Sequence, residues 1–224
     1  MAKAKSVLKI VDDLNKLTKE NFNINIYQEE KRVVKMVNDL KDTLISYSNV
    51  EALSAPQIGY HYRLFCLKFA DNSLKAFINP MITKREGLHL SRESNASIPG
   101  KEFIVPRNNK IIMTFQTPTG KIEENIFEGV VAEVIQQQVN LLDNIFLSDF
   151  GLEVIPEFDK ASDEEKQEVI DWWLKELKSK NEELNKEIEA DENLLQTKKA
   201  IEFMTKVATG EVKVEQVELK KDEN

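Results

Sequence analysis

Gly129-Val130-Val131-Ala132-Glu133-Val134-Ile135-Gln136-Gln137-Gln138-Val139-Asn140-Leu141-Leu142-Asp143-Asn144 is the stretch on which the reading of this 224-residue chain turns. Val130, Val131, Val134, Ile135, Val139, Leu142 and the following Ile145 surround the circumference of a helix instead of forming a single stripe. A helix with apolar residues on most of its sides is buried on most of its sides. The segment therefore predicts a central helix with other elements packed around it.

Outward from that helix, the preceding residues read as strands. Pro118-Thr119-Gly120-Lys121 predicts a hairpin turn into a strand from Ile122 to Phe127, and Glu102 to Val105 and Lys110 to Gln116 are strand candidates before it. Two further β-rich runs, Arg63 to Leu67 and Lys75 to Ile78, are separated by the turn-like Asp71-Asn72-Ser73. Upstream, Val33, Val37, Leu40 and Leu44 recur at helical spacing within Gln28 to Ser48, and Ser6 to Glu20 shows a weaker helical pattern. Downstream of Pro156, Ser162 with Glu165 three residues later forms a capping-box signature that opens a long helix through Trp172, Trp173, Leu177 and Leu184. The tryptophan pair is expected to dock this helix on its own domain, with the mixed charges of Lys175 to Glu189 on a solvated face. Asp191 to Val207 predicts another helix stopped at Gly210, and Glu211 to Leu219 alternates valine with charge before a polar tail. The expectation is an α+β fold, with a first domain over 1–156 and a helical extension over 157–224.

Composition narrows the chemistry. Hydrophobic residues at 41% and charged residues at 31% are ordinary for a globular chain, but there are only two histidines, His61 and His89, and one cysteine, Cys66. A zinc finger, an iron–sulfur site and a disulfide framework are excluded. A Ser-His-Asp or Cys-His enzyme would have to use one of those two histidines, and a two-histidine metal site would consume both. Cys66 lies between Phe65 and Leu67 and reads as a small core residue; His61 follows the Gly59-Tyr60 turn and reads as a surface residue. A net charge of −8 argues against direct nucleic-acid readout. No run of roughly 18 apolar residues predicts a membrane span, and Lys9, Asp12 and Asp13 interrupt the apolar stretch that an export signal needs, so a cytoplasmic protein is expected.

Three segments, in order, resemble the signature segments of peptide deformylase, the metalloenzyme that removes the N-terminal formyl group from new bacterial polypeptides. Val50-Glu51-Ala52-Leu53-Ser54-Ala55-Pro56-Gln57-Ile58-Gly59 is similar to the family's G-x-G-L-A-A-P-Q-I-G. Glu93-Ser94-Asn95-Ala96-Ser97-Ile98-Pro99-Gly100 stands where the family has E-G-C-L-S-x-P-G, and Gln136-Gln137-Gln138-Val139-Asn140-Leu141-Leu142 where it has Q-H-E-x-D-H-L. Ile78-Asn79-Pro80 and Val105-Pro106-Arg107 match between them, and the resemblance runs from about Gln28 to Leu147. It implies antiparallel strands around the central helix.

The departures are chemical. The resemblance implies a divalent metal held by one cysteine and two histidines, but those positions here are Asn95, Gln137 and Leu141. An amide is a weak ligand and a leucine offers no lone pair. The general-base glutamate is replaced by Gln138, whose amide has no usable pKa for proton transfer. Gln57 matches the family's oxyanion-binding glutamine, with the Ala96 N–H as second donor, and Glu93 and Arg107 match a pair that stabilises the loop. The Gln136 to Gln138 run thus reads as a former site more than as a solvated face. In the family the G-x-G backbone pairs with the incoming peptide; Val50 and Ala52 add Cβ atoms there and Glu51 adds a charge, so formyl-methionine binding in the family manner is not expected.

The leading expectation is a metal-free, cofactor-free, catalytically inactive deformylase-like protein that works by binding. Its candidate partners are a nascent chain, another peptide end or the ribosome, all from family context. Two alternatives stand beside it: an active hydrolase with a rearranged site built on His89, Gln57 and nearby carboxylates, and an assembly protein acting through its C-terminal helices.

Overall fold

The computed structural model describes residues 4–8 and 10–188, which divide into two compact units between Glu153 and Val154. In the first unit an antiparallel sheet runs in the order β1 (Ala52–Ser54), β2 (Leu64–Lys68), β3 (Leu74–Asn95), β4 (Ile98–Gln116), β5 (Ile122–Glu128), with the short β6 (Leu152–Glu153) added to β4. Consecutive strands are neighbours, the arrangement that short turns impose. Asn72 at φ 62 and the Ser73 N–H to Asp71 Oδ1 bond make the turn before β3. Thr117 N–H to Lys121 O closes the hairpin at Pro118–Gly120.

Three expectations are corrected. The strand candidate ending at Ile78 continues to Asn95, and the candidates at Glu102 to Val105 and Lys110 to Gln116 are one strand. Asn79 and Pro80 look like breakers, but the register shifts between Ile78 and Met81 and again between Ile82 and Lys84, and at such bulges proline costs no ladder bond. Thr83 to Ser94 is mostly polar, and the brief alternation of Leu88 and Leu90 is too short to mark the strand there. His61 is half-buried, not a surface residue: burial, then nearby Lys19, holds its imidazole below the ordinary histidine range.

Period 2 in β2 sorts the core into two layers. Leu64 and Cys66 join Ala76 and Ile78 against α2 (Ile26–Ser46), whose Val33, Met36, Val37, Leu40 and Leu44 face them. Phe65 and Leu67 face the other way, with Phe77, Ile111, Met113 and Phe115, against Ala132, Ile135, Val139 and Leu142 of α3 (Gly129–Leu142). Phe77 is central: its ring centroid lies 4.7 Å from those of Phe65 and Phe115. The predicted central helix is thus α3. Burial pushes the Cys66 thiol up to about 12, so it stays protonated and packs as a small apolar side chain. Gly59, at φ 83, ends the 3-10 helix Ala55–Ile58 in a conformation that a Cβ would strain.

One carboxylate sits inside α2. Asp39 is buried and accepts from Lys35 Nζ (2.8 Å) and Tyr60 Oη (2.5 Å). Burial pushes its carboxyl up, but the Lys35 and Tyr60 hydrogen bonds outweigh that and hold it below the ordinary range. A depressed folded-state pKa gives stability that is present above the unfolded value and lost as pH falls through the folded one. Asp39→Asn is expected to cost about 1–3 kcal/mol at pH 7. In urea titrations the gap from the parent should close below roughly pH 3.9.

α1 (Ile10–Leu17) buries Leu17 against Leu141 and Phe146, and α4 (Leu147–Phe150) precedes β6. The second unit contains α5 (Pro156–Lys160) and α6 (Asp163–Ile188). The capping box at the start of α6 is formed: Ser162 N–H donates to Glu165 Oε2 (2.8 Å) and Glu165 N–H to Ser162 Oγ (3.2 Å). On α6 Trp172 is exposed. The helix predicted over Asp191 to Val207, its stop at Gly210 and the Glu211 to Leu219 segment lie outside the described residues. Among the described residues no helix is long and apolar enough to cross a membrane.

Candidate functional site

The end of β3, the 3-10 helix and the middle of α3 bring Asn95, Gln57 and Gln137 into one hydrogen-bonded line. Gln57 Oε1 accepts from the Ser54 backbone N–H (2.9 Å), and Gln57 Nε2 donates to Asn95 Oδ1 (3.1 Å). Asn95 Nδ2 donates to Gln137 Oε1 (2.8 Å), and Gln137 Nε2 donates to Ser94 O (3.1 Å) and Glu93 Oε2 (2.9 Å). The polarity of this relay is fixed from both ends. The Ser54 and Ser97 N–H groups can only donate, which sets Gln57 Oε1 and Asn95 Oδ1 as the accepting atoms. The Ser94 carbonyl can only accept, which sets Gln137 Nε2 as the donor. No amide in the line can be turned over without breaking a bond to the backbone.

Beneath the relay, Arg107 and Glu93 form a buried two-point pair, Nε to Oε1 at 2.6 Å and Nη2 to Oε2 at 2.9 Å. The stabilising pair expected for the loop is present. Arg107 Nη1 also donates to Asn140 Oδ1 (2.8 Å), tying β4 to α3. Gln136, read only as part of the glutamine run, clamps the β4 backbone: it accepts from Asn108 N–H (3.0 Å) and donates to Asn108 O (2.8 Å). Leu141, one turn after Gln137, is buried among Leu17 and Phe146, with Leu8 packed against them.

This donor set does not fit a divalent metal. Asn95 Oδ1 already accepts two hydrogen bonds, from Gln57 Nε2 and Ser97 N–H, and Gln137 Oε1 accepts from Asn95. Leu141 presents hydrocarbon within an apolar cluster. Among the described residues no three His, Cys, Asp or Glu side chains come together as a metal cluster. Gln57 differs from its expected role as well, since both Nε2 protons are engaged, by Asn95 and by Ser97 Oγ (3.1 Å).

A cleft of about 420 Å³ opens beside this network, with Val50, Glu51, Ala52, Ala96, Val134 and Gln138 among its lining residues. Gln138 is 1% exposed; its Nε2 reaches Gln137 Oε1 only at 3.5 Å, and its Oε1 is buried with no partner among the described residues. Further along the same wall Glu133 bridges two side chains that the sequence did not connect, His89 (2.7 Å) and Ser91 (2.7 Å). His89 and Ser91 are i, i+2 on β3 and so share a face, a signal legible only once β3 is known to be continuous. The carboxylate stands between hydroxyl and imidazole, whereas nucleophilic catalysis requires the imidazole to touch the hydroxyl.

Comparison with known proteins agrees with this architecture. The polypeptide deformylase family profile matches residues 5–150, further toward the N-terminus than the motifs alone. A peptide deformylase of Dictyoglomus turgidum is 33% identical over 124 residues, spanning 55% of this chain and 80% of the relative. The crystal structure of a peptide deformylase from Legionella pneumophila superposes with a TM-score of 0.61 at 24% identity, over 69% of this chain and 88% of that one. That of the class I type b peptide deformylase from Acinetobacter baumannii with Met-Ala-Ser bound gives 0.55 at 20% identity, over 66% and 99%.

Proposed function

From the premise that this chain belongs to the polypeptide deformylase family, we propose that it is a non-catalytic member that binds a peptide end in the cleft beside β1. The observation that carries this reading is the amide relay. The two motif positions that would supply a thiolate and an imidazole hold Asn95 and Gln137, hydrogen-bonded to each other, and the third, Leu141, is packed in hydrocarbon. Holding a metal there would require breaking several hydrogen bonds, each worth about 1 kcal/mol net, to gain two weak amide ligands. Gln138 stands where the family motif has its general base, and an amide moves no proton near neutral pH.

Binding keeps its supports. β1 is the edge strand of the sheet, and the residues leading into it line the cleft. An edge strand offers backbone groups to an extended peptide, with side-chain pockets alongside. The Acinetobacter baumannii relative holds Met-Ala-Ser, a short peptide of the class proposed here. His89 bonds to Glu133 and supplies no nucleophile–base contact that would favour an active hydrolase.

The test is to titrate the full-length protein with Met-Ala-Ser and formyl-Met-Ala-Ser, reading heat of binding and formate release in the same samples. The expected result is saturable binding without formate. Formate release at an enzyme-like rate, on the order of 1 s⁻¹ or faster, overturns the reading, as does absence of binding by either peptide.

A further inference from the structure

The polarity of the cleft identifies which peptide ends it takes. A formylated N-terminus presents a carbonyl oxygen that needs a donor and one N–H. A free α-amine is largely protonated below about pH 7.7 and presents three donors and no acceptor. The amide that the family resemblance assigns to the formyl oxygen has both protons spent, since Gln57 Nε2 donates to Asn95 and Ser97. What the cleft wall holds instead is an acceptor, Gln138 Oε1, buried and without a partner among the described residues. A buried carbonyl left unpaired is costly and is relieved by a ligand that brings a donor.

Charge on the walls acts in the same direction. Glu51, Glu93 and Glu133 line the cleft with Lys68 and Arg92. Arg92 is held by Glu102, and the Glu93 charge is matched by Arg107. Glu133 is hydrogen-bonded by neutral Ser91 and by His89, and Glu51 is exposed at the rim. Glu51 at the rim, and the Glu133 carboxylate that already bonds His89 at 2.7 Å, thus face an incoming cation, against Lys68.

Resting on the proposal that the cleft binds peptide ends, we infer that it selects an unmodified N-terminal α-ammonium group over a formylated or acetylated one, with Gln138 Oε1 as the accepting atom. The spent donor of Gln57 leaves the formyl oxygen without the amide the resemblance assigns to it, and the buried acceptor of Gln138 favours the group that brings more donors, the amine.

The experiment compares four probes by calorimetry at pH 7 with the full-length protein: Met-Ala-Ser, its formyl and acetyl derivatives, and the analogue in which hydrogen replaces the α-amine. Met-Ala-Ser is expected to bind at least about tenfold more tightly than the other three. Equal affinities, or preference for the formyl peptide, overturn the inference and leave the peptide-binding reading standing. No binding of any probe overturns both. Gln138→Leu supplies the second arm: Met-Ala-Ser affinity should fall about tenfold while the formyl and acetyl peptides change less than about twofold, and the melting temperature of the free protein should not fall, because an unpaired buried oxygen has been removed. An unchanged Met-Ala-Ser affinity in that variant overturns the assignment to Gln138. The comparison with the hydrogen-substituted analogue reads the amine without any variant.

Discussion

Arg107→Met is expected to lower the unfolding free energy by about 3–5 kcal/mol, measured by urea denaturation at pH 7. Arg107 and Glu93 are 3% and 8% exposed, so the variant leaves a carboxylate buried without its guanidinium, with Gln137 Nε2 still donating to it. The loss extends past the pair. Arg107 also holds Asn140 on α3, and its guanidinium lies 5.5 Å from the Phe150 ring centre. Removing both charges together, Glu93→Gln with Arg107→Met, should cost less than the sum of the single changes, because no unpaired charge stays behind. A loss below about 1 kcal/mol for Arg107→Met would show that the pair is no structural keystone. Should that variant fail to accumulate, Glu93→Gln alone reads the same coupling from the other side.

The pair also explains why the relay keeps its shape. Glu93 Oε2 receives both Arg107 and Gln137, so the ion pair under β3 is continuous with the amide line above it. A neutral network with one charge pair at its base is cross-linked by its own hydrogen bonds.

How much of this was legible in the sequence differs by element. The central helix was readable because apolar residues cover its circumference, and α2 because its stripe repeats at helical spacing. The far half of β3 was not: its residues are mostly polar, Pro80 imitates a strand end, and the bulge that accommodates it is set by pairing with β4. Asn95, Gln137, Gln138 and Leu141 could be singled out by motif, since residue identity alone shows that thiolate, imidazole and carboxylate are missing. Their wiring could not. Asn95 meets Gln57 and Gln137 from segments far apart in the chain, the polarity is set by the nearby Ser54 and Ser97 backbone groups, and Leu141 meets Leu17 from an N-terminal helix with a weak periodic signal. Gln136 was indistinguishable in sequence from its neighbours, yet it faces the β4 backbone while Gln137 faces β3 and Gln138 the cleft, because successive helical residues point about 100° apart.

The same wiring sets the other large effect, on metal binding. Structural zinc sites bind with about 10–16 kcal/mol, most of it from thiolate and imidazole donors. Asn95, Gln137 and Leu141 provide neither, and their amide oxygens are already committed. A ligand that binds only the folded state raises the melting temperature in proportion to the logarithm of its concentration over Kd. The most direct measurement is therefore metal content and melting temperature after the full-length protein is incubated with excess iron(II), nickel or zinc and desalted. The expected result is well under about 0.1 metal per chain and no shift in melting temperature. One metal per chain, with a raised melting temperature that Asn95→Ala and Gln137→Ala abolish, would contradict it.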